Sequence, residues 1–210
     1  MDTLKYILEK FNLHPTKMPV EIPNIGRNNL PVLMSELGFK VGAEIGVLEG
    51  AYSEILLKNM PGLKLYAIDS WLNYPDYHKL LPQSGFDDAY AKTKKRLKGY
   101  DVKFIRKFSM DAVKDFKDES LDFVYIDASH EFSHVAEDMV YWSKKVRSGG
   151  IVAGHDYRPS KRRDGENAVI PAVLGYMNAY AIWPWFLLGT KAMLPNEIRD
   201  RYRTWMFVKS

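Results

Sequence analysis

Residues 41–60 read VGAEIGVLEGAYSEILLKNM, an apolar run that passes through two glycines into a helical pattern. The run at 41–47 has the composition of a buried strand, and residues 51–60 carry apolar side chains at helical spacing until a Pro-Gly pair follows. A second apolar run, KLYAIDS at 64–70, comes directly afterwards. A strand, a tight turn, a helix and another strand form one crossover unit, which predicts two parallel neighbouring strands.

The same alternation continues toward the C-terminus, after a polar, aromatic loop at 71–85. Further strands are predicted at 102–108, 121–128 and 151–157, and helices at 86–100, 110–116, 131–146 and 167–180. Two last apolar runs, near 182–188 and 204–208, favour a terminal antiparallel hairpin. The sequence therefore predicts an α/β fold of the Rossmann-like, doubly wound class, with a mostly parallel seven-stranded sheet and a C-terminal antiparallel strand.

The segment before the first strand has a helical pattern of its own. A short amphipathic helix would present on one face Leu4, Ile7, Leu8 and Phe11. We therefore predict an N-terminal helical extension or lid over 1–38 and a sheet domain over 39–210.

Composition excludes several classes of protein. Hydrophobic residues make up 46% of the 210 residues and charged residues 27%, which rules out a disordered chain. There is no cysteine, so disulfides, cysteine-based zinc sites and thiol nucleophiles are excluded. No run reaches the ~18 apolar residues needed to span a bilayer, and the N-terminus lacks the features of a signal peptide. We expect a soluble, cytoplasmic protein without a membrane partner.

The net charge of +4 is unevenly distributed. Eight lysines and arginines and a single aspartate fall between residues 92 and 107, and a second basic cluster lies at 158–163. Such a distribution indicates either an anionic partner such as RNA or a solvated helix face with a basic loop. No aromatic residues interleave with the lysines as they do in a nucleic-acid stacking platform, so a nucleic-acid partner is disfavoured.

Parallel sheets bind ligands beyond the carboxyl ends of their strands, so the residues there are the first candidates for a site. The first strand runs into a turn with Gly46 and Gly50, which let the backbone approach a ligand closely or simply make a tight turn. Asp69 ends the second strand and suits bonding to both hydroxyls of a ribose, a loop cap being the alternative. The turn has neither the G-x-G-x-x-G nor the Walker pattern, so a nicotinamide-dependent oxidoreductase is disfavoured. Together these features indicate an adenosyl-type ligand.

Three more polar side chains follow the next strands. Asp127 ends the strand at 121–128, and His155 and Asp156 come at the end of the strand at 151–157. Two carboxylates with an imidazole suit a divalent cation. The alternative is that Asp127 caps the following helix and Asp156 lies in a turn.

Four segments then carry a family resemblance: AEIGVLEGAYS, LYAIDSW, FVYIDASH and VRSGGIVAGHDY, in this order and spacing. With them the chain resembles the class I S-adenosylmethionine-dependent methyltransferases. More narrowly, it looks like their metal-dependent O-methyltransferase branch, which includes the catechol and macrocin types and methyltransferase family 24. The resemblance spans about residues 41–157, so the domain over 39–210 would be the methyltransferase domain.

The resemblance implies S-adenosyl-L-methionine as the cofactor and assigns roles to particular residues. The methionine part would contact Glu44, Gly46 and Ser53, and Asp69 would hold the ribose. The adenine would lie between Ser70 or Trp71 on one side and Ser109 and Met110 on the other. Asp127 would touch both the metal and the amino group of the cofactor.

The resemblance also implies Mg²⁺ or another divalent cation at Asp127, His155 and Asp156. In the family the first member of the acidic pair follows the metal aspartate by 28 residues, as His155 follows Asp127 here (155 − 127 = 28). A histidine stands where the family has a carboxylate, so a preference for Mg²⁺ is less firmly implied. Catechol-type enzymes place a lysine base three residues after the metal aspartate, and this chain has His130 there. We expect His130 to act as the general base, with Asp127 as its catalytic partner.

The expected function is therefore an S-adenosylmethionine-dependent O-methyltransferase, divalent-metal-dependent, that acts on a hydroxyl of a sugar or of a small phenolic or natural-product acceptor. Two alternatives stay open: a nucleic-acid methyltransferase that uses the basic run at 92–107, and a non-catalytic S-adenosylmethionine-binding protein. The sequence IDASH lacks the acidic-Pro-Pro-aromatic motif that clamps a base in nucleic-acid enzymes. A homo-oligomer is compatible with the sequence, which does not settle the oligomeric state.

Overall fold

The computed structural model describes residues 2–73, 82–159, 167–192 and 195–210. Its strands are β1 (Val20–Ile22), β2 (Val41–Ile45), β3 (Lys64–Asp69), β4 (Val102–Arg106), β5 (Leu121–Ile126), β6 (Val146–Tyr157), β7 (Trp185–Leu188) and β8 (Arg203–Val208). Its α-helices are α1 (Thr3–Lys10), α2 (Leu30–Glu36), α3 (Ala51–Asn59), α4 (Gln83–Arg96), α5 (Ser109–Ala112), α6 (Phe132–Lys145) and α7 (Val169–Ala179). A short 3₁₀ turn, Val113–Asp115, follows α5.

All eight strands form one sheet, in the order β1-β7-β8-β6-β5-β2-β3-β4. Strand β8 runs antiparallel to both β6 and β7, and every other pair is parallel. The predicted Rossmann-like, mostly parallel sheet and its C-terminal antiparallel hairpin are confirmed, but the sheet has eight strands instead of the predicted seven. Reversal of the strand order between β2 and β5 places the carboxyl ends of β2, β3, β4 and β5 along one edge, where this class of fold binds ligands.

The structure adds two features to the prediction. Strand β1 pairs in parallel with β7 at the sheet edge, and its three residues are too few to show a strand pattern in the sequence. Strand β6 begins directly after α6 and includes the Gly-Gly pair, whereas the sequence predicted a strand only from residue 151. Its register against β5 shifts in the region of this pair. Residues 74–81 of the predicted loop at 71–85, and residues 160–163 of the second basic cluster, lie outside the described residues.

Helices cover both faces of the sheet, as a doubly wound fold requires. Strand β5 illustrates the arrangement, since Phe123 and Tyr125 pack among the buried residues of α1, α2 and α3. Val124 and Ile126 point to the other face and pack with α6 and α7. The apolar run of β5 therefore reflects burial on both sides, which is typical of a central parallel strand. None of the helices in the described part of the chain has the length and apolar character needed to cross a membrane.

The close packing beside β6 gives a test of the fold. A Cβ atom at Gly154 would lie 2.4 Å from the ring of Trp205 and 2.7 Å from the carbonyl oxygen of Ile126. We expect Gly154→Ala to lower the free energy of unfolding by about 2 kcal/mol or more, because backbone and a buried indole must both move.

Gly175 in α7 is the matched control, because a Cβ there meets nothing within 4 Å. Gly175→Ala should leave the free energy of unfolding unchanged or raise it by about 0.5–1 kcal/mol, since alanine is the better helix former. Chemical denaturation of both variants checks the pair, and equal stabilities would contradict the packing described for Gly154.

Candidate functional site

A cavity of about 660 Å³ lies at the carboxyl ends of β2, β3, β4 and β5. Its wall includes most of the side chains predicted to bind the cofactor: Glu44, Gly46, Asp69, Ser70, Ser109, Met110 and Asp127. Ser53 and Trp71 do not line the cavity. The volume is in the range of pockets that take a small ligand or cofactor.

The glycine turn after β2 is explained by close packing of two strand ends. Gly46 has a φ of +88°, and a Cβ atom there would lie 2.3 Å from the carbonyl oxygen of Asp127. Only a residue without a side chain can hold this conformation so near the neighbouring backbone. The turn therefore brings the end of β2 against the end of β5 and opens the cavity above them.

Asp69 ties this turn to the end of β3. One carboxylate oxygen accepts hydrogen bonds from the backbone N–H groups of Val47 and Leu48, at 3.0 and 2.9 Å, and the other accepts from the N–H of Trp71 at 2.8 Å. The loop-cap alternative is thus part of what Asp69 does. Because a carboxylate offers about four acceptor positions, Asp69 can still accept a bond from a ligand in the cavity that it lines.

Ser53 and Trp71 support the wall from behind. The hydroxyl of Ser53 donates to the buried carboxyl group of Glu44. Trp71 is fully buried, and its indole N–H donates to the carbonyl oxygen of Leu48 at 2.8 Å. Both side chains fix the position of residues that do line the cavity.

The cavity wall holds three carboxyl groups with raised pKa values. Burial raises the pKa of Glu44 to about 8, although the hydrogen bond from Ser53 acts to lower it. Burial likewise raises the pKa of Asp127 to about 6 and that of Asp138 to about 7. Buried carboxyl groups of this kind favour a ligand that brings positive charge or N–H donors.

Sequence reasoning missed Asp138, although the sequence carried a signal for it. Asp138 lies on the buried face of α6, between Val135 and Trp142. An acidic residue at an apolar position of an amphipathic helix is either satisfied by a partner or faces a polar cavity. That pattern could have identified it.

Asp127 and Asp156, which were expected to share a metal, lie close together. Ligand atoms of Asp127, His130 and Asp156 all fall within 4.8 Å of one another. The Nδ1 atom of His155 lies 3.4 Å from Asp156 and 3.8 Å from Asp127. The structure therefore brings the predicted set of Asp127, His155 and Asp156 together and adds His130 to it.

Backbone and hydrogen bonding single out Asp156 and His155. Asp156 has a φ of +56°, a conformation that is costly for a residue other than glycine and that concentrates at functional sites. Burial acts to raise its pKa, but hydrogen bonds from His130 and His155 outweigh burial and hold that pKa well below its usual range. Among the described residues, the Nε2 atom of His155 is the buried side-chain polar atom that has no hydrogen-bond partner.

Two arginines flank the carboxylates, and neither was predicted. Arg27, from the segment before α2, places Nη1 3.1 Å from Asp127 and stacks its guanidinium over Tyr52 at 5.1 Å. Arg158 places Nε 3.2 Å from Asp156. Only the tertiary structure brings Arg27 here, because it lies far from Asp127 in the sequence. Each carboxylate thus has a guanidinium counter-ion as well as neighbouring imidazoles.

These features define a Rossmann-like α/β protein with a cavity at the switch point of a parallel sheet, lined by a glycine turn and a row of carboxylates. The model of a methyltransferase-domain family, methyltransferase family 24, matches residues 43–157. This match covers more than half of the chain, and the chain therefore belongs to that family. The expected enzyme class, a methyltransferase, is confirmed.

Solved structures agree with the family assignment at the level of the fold. A proposed O-methyltransferase from Klebsiella pneumoniae has a TM-score of 0.62 and 16% identity, covering 100% of this chain and 91% of that one. The O-methyltransferase from Bacillus cereus, solved in complex with SAH, has a TM-score of 0.54 and 17% identity, covering 100% and 91%. A proposed rRNA methylase from Clostridium thermocellum has a TM-score of 0.62 and 11% identity, covering 89% and 98%. A search of curated proteins finds no match to the sequence.

The raised pKa of Glu44 predicts a specific pH dependence of stability. An unfolded chain releases the Glu44 proton near pH 4.5, whereas the folded protein holds it up to about pH 8. Between these values the folded state binds more protons, so stability falls as pH rises. Glu44→Gln removes this linkage, and its free energy of unfolding should exceed that of the wild type at pH 8 by a few kcal/mol, on the order of 3.

The measurement is denaturation of both proteins from pH 5 to pH 8, where the gap should widen with pH. Glu9→Gln, at an exposed position of α1, is the control and should track the wild type. A gap that stays constant across this range would show that Glu44 is not buried as described.

Proposed function

We propose that this methyltransferase uses S-adenosyl-L-methionine, depends on a divalent cation, and methylates a hydroxyl of a small-molecule acceptor, either a sugar or a phenolic or natural-product compound. The observation that carries the proposal is the row of carboxylates on neighbouring strand ends. Glu44 and Asp69 lie at the carboxyl ends of β2 and β3, Asp127 directly follows β5, and all three line one cavity beside the glycine turn.

The charges of the cavity match those of the donor. S-adenosylmethionine carries a sulfonium and an amino group, and the buried carboxyl groups of Glu44 and Asp127 offer acceptor oxygens to both. The positive charge of the ligand would in turn favour the ionised form of these carboxyl groups. The methionine part would then lie by Glu44 and Gly46, and the ribose by Asp69. Ser70 would flank one side of the adenine, and Ser109 and Met110 the other. Support comes from the Bacillus cereus enzyme of the same fold, which was solved with SAH, the demethylated cofactor.

The donor set fits a divalent cation. Asp127 and Asp156 supply carboxylate oxygens, and His155 faces both of them through Nδ1. Such a mixed set suits Mg²⁺ and tolerates softer divalent metals such as Mn²⁺. When bound, the cation would acidify the acceptor hydroxyl, and the cofactor would supply an electrophilic methyl group.

His130 is placed to take the acceptor's proton. It lines the cavity, and its Nε2 atom lies 3.0 Å from Asp156. A carboxylate paired with one ring nitrogen fixes the tautomer and leaves the other nitrogen as a proton acceptor. The alternative is that His130 has only a packing role in the segment that leads into α6. The remaining role of the protein is to hold acceptor and donor in line, which is most of what methyl transfer needs.

A small-molecule acceptor is favoured over nucleic acid by the surface charges. In the basic run at 92–107, Lys92 pairs with Glu49, Arg106 with Asp87 and Lys107 with Asp115. These three cations already have carboxylate partners, which fits a solvated basic surface better than one held free for phosphates. Methylation of small hydroxyl compounds but not of RNA would uphold this choice.

Cofactor binding gives the first test. We expect the wild type to bind S-adenosylmethionine in a calorimetric titration, and Asp69→Asn to bind it about 10- to 100-fold more weakly, because the variant loses charge-assisted bonds to the ribose. The amide oxygen of the variant can still accept from the turn after β2, whereas its amide nitrogen cannot accept from the N–H of Trp71. Asp101→Asn, an exposed aspartate of the loop before β4, is the control. No binding by the wild type would refute the proposed function, and full affinity in Asp69→Asn would leave Asp69 with its loop-cap role alone.

The two histidines give the second test, since the proposal assigns them different roles. His155→Ala should weaken binding of Mn²⁺, followed by calorimetry, at least 10-fold. His130→Ala should keep Mn²⁺ and cofactor affinity but lower turnover about 10²- to 10⁴-fold. The control is His14→Ala, at an exposed position of the segment before β1 that does not line the cavity. If His130→Ala loses the metal and His155→Ala does not, then His130 is the ligand and cannot be the base.

A further inference from the structure

Asp138 on α6 is a buried carboxylate that the proposed reaction does not use. It lines the cavity yet is only 3% exposed, and within the described part of the chain no lysine or arginine pairs with it. Its Oδ1 atom accepts a hydrogen bond from the hydroxyl of Ser109. A buried carboxylate without a cation is costly unless a partner satisfies it.

The hydrogen bonds around Ser109 have a fixed direction. The indole of Trp142 can only donate, and it donates to Ser109 Oγ at 2.8 Å. Ser109 must therefore point its own proton at Oδ1 of Asp138. The second oxygen, Oδ2, has no hydrogen bond to a described group, and it is not among the fully buried side-chain atoms left without a partner. Because Asp138 belongs to the cavity wall, Oδ2 is the oxygen left to accept a hydrogen bond from a ligand.

The order of strands places Asp138 at one end of the proposed cofactor. The sheet runs β4-β3-β2-β5, so a cofactor with its ribose at Asp69 and its methionine part at Glu44 points its base toward the end of β4. Ser109 follows β4 and presents the same wall as Asp138. The placement rests on the proposed use of S-adenosylmethionine.

We propose that Asp138 is a specificity-determining residue, which accepts a hydrogen bond from the exocyclic amino group of the cofactor's adenine. A base that carries a carbonyl oxygen at this position, such as hypoxanthine, would instead face the carboxylate with a second acceptor. A desolvated acceptor discriminates strongly between a donor and another acceptor, because the mismatch leaves it unsatisfied. The raised pKa of Asp138, caused by burial, agrees with a carboxylate that lacks its partner in the free protein.

The test compares two ligands that differ at this atom, S-adenosylhomocysteine and S-inosylhomocysteine, by calorimetry above pH 7, where Asp138 is ionised. The wild type should prefer the adenosyl compound by about 10-fold or more. Asp138→Asn keeps an oxygen for Ser109 and turns an amide N–H toward the cavity, so the preference should fall about 10-fold or reverse. The control is Asp111→Asn, which replaces an exposed aspartate of α5 that pairs with Lys114 and should keep the wild-type preference.

The outcomes separate this inference from the proposed function. Equal affinity of the wild type for the two ligands overturns the role of Asp138 without recourse to any variant. An unchanged preference in folded Asp138→Asn also overturns it and leaves Asp138 as a support for Ser109 and Trp142. Failure of the wild type to bind S-adenosylhomocysteine at all refutes the proposed cofactor first, and the inference with it.

Discussion

The close approach of β2 and β5 at Gly46 is the contact on which the site depends. The N–H of Asp127 donates to the carbonyl oxygen of Ile45 at 2.8 Å, and the N–H of Gly46 donates to that of Ile68 at 2.9 Å. These bonds continue the sheet to the last residue before the turn. A side chain at Gly46 would force the two strand ends apart, because it would strike the Asp127 backbone. The carboxylates of neighbouring strands stand in one row because this contact is so tight.

Burial of these carboxylates stores free energy that a ligand can recover. Glu44 and Asp138 hold their protons to about pH 8 and about pH 7, so the folded protein is less stable near neutral pH than it would be with apolar groups there. Asp127 and Asp156 differ from them in having guanidinium partners, Arg27 and Arg158, although burial also raises the pKa of Asp127 to about 6. The carboxylates at one end of the cavity thus have arginine partners. Those at the other end have no cation paired with them among the described residues and can accept hydrogen bonds from a ligand. Sites that bind charged ligands commonly carry such local costs.

Most of the fold and part of the site could be predicted from the sequence. The apolar run of β5 with Asp127 at its end is a local signal, and so is the glycine turn after β2, because backbone conformation and burial leave their mark on adjacent residues. Strand β1 could not be predicted, since it pairs with β7, which lies near the other end of the chain. Arg27 could not be predicted for the same reason: nothing near it in the sequence indicates that it reaches Asp127.

The sequence by itself determined the class of fold, the edge of the sheet where the site lies, and the residues that end each strand there. Periodicity and strand order suffice for these, because a parallel sheet brings the carboxyl ends of its strands to one edge. Only the tertiary structure decided which side chains meet at that edge. It brought His130 onto Asp156, set Asp138 behind Ser109, and turned Trp71 into the core. Such contacts depend on side-chain direction and on the packing of helices over the sheet, which no local pattern encodes.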